Sequence, residues 1–216
     1  MTRASWLGGL VLLLAVAAPA FAQTPPAAPG APQAPPTRVR GMVEALDGQT
    51  LTVKSREGPI VTIALAPNFA VRSVLKRSLA DIKAGDYVAS TSVRGADGRL
   101  HAIEVHIFPE AMRGVAEGQS AWDLVPGSLM TNATVSGISA APPGQSAGGQ
   151  TLKVTYKGGE AEVSVGPEVP VVTYGPGDAS LLKPGAAVFV IARPGPDGRL
   201  AAPQVTAEKD GVKPPM

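Results

Sequence analysis

Between residues 38 and 108, short strand-like runs alternate with turn-forming pairs. Runs at 39–46, 50–56 and 59–65 are divided by Asp47-Gly48 and Glu57-Gly58. In the third run Val61, Ile63 and Leu65 fall on one side of an extended chain, with Thr62 and Ala64 on the other. A less regular stretch leads to Ser78-Leu79-Ala80-Asp81-Ile82-Lys83, where Ser78 can cap one helical turn and Gly85 can end it. Two more strands, about 86–94 and 99–107, meet at Asp97-Gly98, a pair that tolerates the positive φ of a tight hairpin. Three strands, a short helical segment and two strands is the element order of a five-stranded OB-like barrel. A six-stranded barrel or small sandwich would give nearly the same pattern.

The pattern recurs. Val39-Arg40-Gly41-Met42 matches Val135-Ser136-Gly137-Ile138, and Gly48 to Val53 matches Gly149 to Val154. Ile82-Lys83-Ala84-Gly85 matches Leu182-Lys183-Pro184-Gly185, and Asp97-Gly98-Arg99-Leu100 returns as Asp197-Gly198-Arg199-Leu200. Four matches in order predict an all-β protein of two tandem small five- to six-stranded OB-like barrels, 38–108 and 133–208. A connector, 109–132, lies between them and a tail, 209–216, follows, with the extra residues of the second copy falling between Pro142 and Gly149.

Ahead of the barrels, residues 1–22 combine a cationic start (Arg3), an apolar run from Leu7 to Ala18 and the small-x-small site Ala20-Phe21-Ala22. This is the pattern of a signal peptide, cleaved between Ala22 and Gln23. The run breaks at Pro19, short of the roughly 20 apolar residues a membrane helix needs. The expected location is therefore the periplasm or the exterior, with no membrane span. Residues 23–37, rich in Pro and Ala, form an extended tether because proline rings fix φ and block helix propagation.

Composition narrows the function classes. The 216 residues include 44% hydrophobic but only 4% aromatic, 25 Gly, 22 Pro, no Cys, and a formal charge of +2. That is apolar enough for packed cores, too weakly basic for a nucleic-acid surface, and without a disulfide framework. Tyr87 and Phe189 are assigned to the cores. Gly144-Gln145-Ser146-Ala147-Gly148 copies a hydrolase elbow, but both histidines, His101 and His106, precede it, and nothing activates Ser146. No catalytic constellation or phosphate loop is found, so the chain reads as a non-enzyme with no cofactor.

The candidate ligand or partner site is the polar group at the end of the first copy. Glu104 and His106 share one face of a strand, and Glu110, Arg113, Trp122 and Asp123 follow in the connector. The second copy carries Gln204 and Thr206 in place of Glu104 and His106, so a barrel does not require them. Imidazole and carboxylate also suit a divalent ion. The expected partner is another periplasmic or envelope protein, with a metal ion as a second candidate.

The motifs Ile107-Phe108-Pro109-Glu110, Arg113-Gly114, Glu117-Gly118, Trp122-Asp123 and Met130-Thr131-Asn132-Ala133-Thr134-Val135, with terminal Pro214-Pro215-Met216, resemble a family of proteobacterial exported proteins. Its members contain two copies of a small β-rich domain of unknown function, and the resemblance implies the same here over 38–216. Some members carry a metal-transporter permease label, which this chain, lacking a helix bundle, cannot fit. Members often have His after the glycine matching Gly118; Gln119 stands here, which removes one candidate ligand. The expected function is thus a noncatalytic binding or scaffold module, the alternatives being a metal-binding accessory protein and an OB-type oligonucleotide or oligosaccharide binder.

Overall fold

The computed structural model describes residues 34–141, 148–195 and 197–214, and the expected signal peptide and most of the expected tether lie outside them. Twelve strands and three 3-10 turns make an all-β body. The strands are β1 (Thr37–Asp47), β2 (Thr50–Ser55), β3 (Ile60–Arg77), β4 (Tyr87–Arg94), β5 (Leu100–Ile107), β6 (Gly118–Ala121), β7 (Leu129–Ala140), β8 (Gln150–Tyr156), β9 (Gly159–Val165), β10 (Val171–Gly177), β11 (Ala187–Pro194) and β12 (Leu200–Ala207). Alternation sets the faces as the pattern dictates: Ile63 and Leu65 are buried, and Thr62 and Ala64 exposed. Asp81 fixes the 3-10 turn Leu79–Asp81 by accepting hydrogen bonds from both the backbone N–H and the hydroxyl of Ser78.

Two five-stranded barrels result, but neither is built from one copy. Barrel I closes as β1-β2-β3-β12-β11 and barrel II as β7-β8-β9-β5-β4, each with a parallel seam, β3 to β12 and β9 to β5. The OB-like strand order is kept, while 38–108 and 133–208 as self-contained barrels must be corrected. Each copy gives its first three strands to one barrel and its last hairpin to the other. The two cores record the same exchange. Val39, Leu51, Ile63, Val188, Val190 and Val205 fill barrel I, whereas Val88, Val105, Val135, Leu152 and Val163 fill barrel II.

The stretch that looked irregular from sequence is the reason. Phe69-Ala70-Val71-Arg72-Ser73-Val74-Leu75 is rich in β-formers and has no glycine, so β3 continues past an irregularity at 66–69 instead of turning back. Its counterpart β10 lies antiparallel beside it, Val74 opposite Tyr174 and Arg77 opposite Val171. Two extended hinges paired about a local two-fold is the geometry of domain swapping, here within one chain. Residues 34–216 accordingly cluster as one compact unit.

The match between the halves also shifts. Val43 exchanges backbone hydrogen bonds with Gly185 and Ala186, and Val135 makes the same pair with Gly85 and Asp86. Val43 and Val135 are therefore equivalent, four residues on from the sequence match, and a β-bulge follows each. Asp47 and Thr50 then bracket only Gly48-Gln49, whereas Ser139 and Thr151 bracket 140–150. Close packing of β1 on β2 demands Gly41, where a Cβ would lie 2.1 Å from the Lys54 carbonyl oxygen.

Candidate functional site

The residues singled out from sequence separate into three places. Glu104 and His106 do share a strand face, but the face is buried, the two residues being 4% and 8% exposed. Thr91 donates its hydroxyl to Glu104 Oε1 at 2.5 Å, and His106 Nε2 lies 3.8 Å from the same oxygen, an ion-pair distance rather than a hydrogen bond. Burial raises the Glu104 carboxyl, yet His106, the Thr91 hydroxyl and the Arg40 charge outweigh it and hold the group below its ordinary range. His106 packs on Tyr174, which stacks on Phe108, which stacks on Tyr87. Burial, then the charge of Glu104, pushes the Tyr174 hydroxyl up to about 12. Glu104 Oε2 and His106 Nδ1 are buried without a hydrogen-bond partner. Among the described residues no three His, Asp or Glu side chains converge as metal ligands.

Glu110 and Arg113 are elsewhere, paired with each other on the surface at 2.6 and 2.7 Å. Arg113 also donates to the Gly85 carbonyl, which fastens the connector to the start of β4. Trp122 and Asp123 make a third group. Ser128 closes a turn by donating to the Trp122 and Val125 carbonyls, and that turn presents the two residues to β1. Asp123 accepts from Arg40 at 2.8 Å and Arg38 at 3.3 Å, while Arg38 lies 4.1 Å over the Trp122 ring. Arg56 adds bonds to the Asp123 and Leu124 carbonyls. Because β6 pairs with β7, the connector touches both barrels. Gln119 is engaged there too, donating to Thr131 at 3.0 Å. Phe189 is corrected from core to outer face: half-buried, with Arg40 5.0 Å above its ring. Tyr87 is buried but belongs to neither barrel core, its hydroxyl donating to the Val115 carbonyl.

Sequence reasoning missed a cleft of about 400 Å³ at the β5–β9 seam of barrel II. Its walls come from Asp97 and His101 of the β4–β5 hairpin, Ala141 and Gly149 of the β7–β8 connection, Gln150 at the start of β8, Ser164 of β9, and Glu168 just beyond it. The hairpin is built locally. Gly95 N–H bonds to the Arg99 carbonyl, Asp97 Oδ1 accepts from Arg99 N–H, and Gly98 turns with φ of 76°. Gly195, Asp197, Gly198 and Arg199 make the same turn in the other hairpin. The difference is His101, whose Nε2 lies 3.0 and 3.1 Å from the Asp97 carboxylate oxygens, where barrel I has Ala201. That hydrogen bond, with Arg99 N–H, holds Asp97 below its ordinary range. Gly95 is obligatory for it, since a Cβ there would come within 2.7 Å of both Asp97 Oδ1 and the imidazole.

Fold and cleft define a small-β-barrel protein whose polar cleft lies at one end of one barrel. No protein-family model matches the chain, and no curated protein or solved structure matches it. The elbow-like pattern 144–148 lies, except for Gly148, outside the described residues, and no helix among them is long and apolar enough to cross a membrane.

Proposed function

We propose that this is a noncatalytic, exported binding module in which two copies of one domain, joined by strand exchange, form a rigid frame for the cleft of barrel II. The observation that carries the reading is where the copies differ. The β7–β8 connection is long where β1–β2 turns through Gly48-Gln49. His101 stands for Ala201, and the strand matching β3 is interrupted at 166–170. All three departures border one cleft, and two of the loops concerned, β7–β8 and β4–β5, hold the places of the loops with which OB barrels bind ligands. Barrel I closes without the long connection and the imidazole, and its β3 stays one strand through a bulge at 66–69.

Export rests on residues 1–22 and places the module in the periplasm or outside the cell, where an envelope protein is the expected partner. The buried Glu104–His106 group and the Trp122–Asp123 latch then serve the frame. An oligonucleotide is disfavoured, because among the described residues no Lys, Arg, Phe, Tyr or Trp lines the cleft.

The test is an amide-resolved NMR screen of the mature chain with a chemically mixed set of small soluble compounds. Binding should move resonances of 97–102, 149–151 and 164–169. A variant with 140–150 shortened to Gly-Gln and His101→Ala should keep its melting transition and lose those shifts. Shifts that cluster away from the cleft, or that survive in the variant, would overturn the proposal.

A further inference from the structure

Resting on that reading of the cleft, we infer that its ligand is a donor-rich cation, a primary ammonium or guanidinium group. The polar lining is weighted to acceptors. Asp97 stays ionised beside His101, and Glu168 supplies a second carboxylate. Glu168 makes no hydrogen bond or ion pair among the described residues. Its carboxylate folds back over Gly166, where a Cβ would sit 2.4 Å from Oε1, so the glycine makes room for that placement. Gln150 adds an amide whose oxygen is buried without a partner. Among the described residues no Lys or Arg side chain lines the cleft to neutralise these groups.

An anion entering would meet two carboxylates, offset among the described lining residues only by the imidazole already held by Asp97, an arrangement that selects against it. An ammonium or guanidinium meets charge-assisted acceptors on two walls, Asp97 on one and Glu168 on the other. The volume, about 400 Å³, is at the small end of ligand sites and fits a group of amino-acid size. The cation has two sources, a free amine or a basic side chain carried by another protein.

Calorimetry and amide-resolved NMR on the full mature chain separate the alternatives. The probes are arginine amide, spermidine, a capped Gly-Arg-Gly peptide, citrulline amide as the neutral isostere of arginine amide, glutamate and inorganic phosphate. Cationic probes should move resonances of 97–102 and 164–169, and citrulline amide should bind at least about tenfold more weakly. Glu168→Gln, an exposed substitution that leaves the fold intact, should weaken the cations by a similar factor. Tighter binding of the capped peptide than of the free amines assigns the source to a protein, and the reverse assigns it to a small molecule. If neutral or anionic probes bind the cleft as well as the cations do, the charge assignment falls while the binding site stands. If no probe moves those resonances, both fall.

Discussion

Arg40 is the point where the two barrels are held together by charge, and Arg40→Met is the perturbation that isolates it. The side chain is 3% exposed, donates to Asp123 at 2.8 Å, lies over the rings of Trp122 and Phe189, and its charge helps hold Glu104 ionised. Methionine keeps most of the volume, so cavity formation is minor. The hydrogen bond to Asp123 is worth about 1 kcal/mol once discounted for a partner that is 47% exposed. Two ring contacts add roughly 0.5 kcal/mol each. The expected cost at pH 7 is therefore about 2 kcal/mol. Both carboxylates are held below their ordinary values, 4.5 for Glu104 and 3.8 for Asp123, so their contribution is complete above those values. It is lost as pH falls through the lower folded values. Urea unfolding of wild type and variant at pH 7 and pH 3 reads the difference, which should shrink at pH 3 from about 2 kcal/mol toward the roughly 1 kcal/mol of the ring contacts as the carboxylates begin to protonate. An equal penalty at both pH values would refute the electrostatic reasoning.

Glu104→Gln should reduce the fall of stability below about pH 4.5, measured by the same titration, because a buried carboxylate with a lowered value is removed from the linkage. Trp122→Ala should cost about 1–2 kcal/mol rather than the larger loss of a fully buried aromatic, since the ring is half-buried and acts by stacking on Arg38; urea midpoints decide it. Val205→Ala, in β12, removes two methyl groups from the barrel I core and should cost about 2–3 kcal/mol. Hydrogen exchange should then show lost protection in β1 and β2 of the other half of the chain.

Local structure was legible because local chemistry decides it. The alternation at Val61, Ile63 and Leu65 and the Asp-Gly turns specify strands and hairpins whatever they pair with. The exchange was not legible, because the β4–β5 and β11–β12 hairpins carry the same binary pattern and fit either barrel. Its one trace was the glycine-free run from Phe69 to Leu75, which argues against a turn. The pairing of Glu104 with His106 on one face could be read from period two, but its burial depends on which barrel covers it. The cleft escaped because its walls come from segments 49 to 67 residues apart, Asp97 and His101 against Gln150 and Ser164. The signal available was the set of departures between copies, His101 for Ala201 and the long 140–150 connection.

Strand exchange is the claim on which the frame and the cleft both depend, and inter-strand NOEs on the mature chain test it most directly. The exchanged barrels place Met42 opposite Ala187 and Thr134 opposite Tyr87. Cross-peaks between those pairs are the predicted result. Cross-peaks of Met42 with Tyr87 and of Thr134 with Ala187, the pairs that barrels closed within each copy would bring together, would contradict the account.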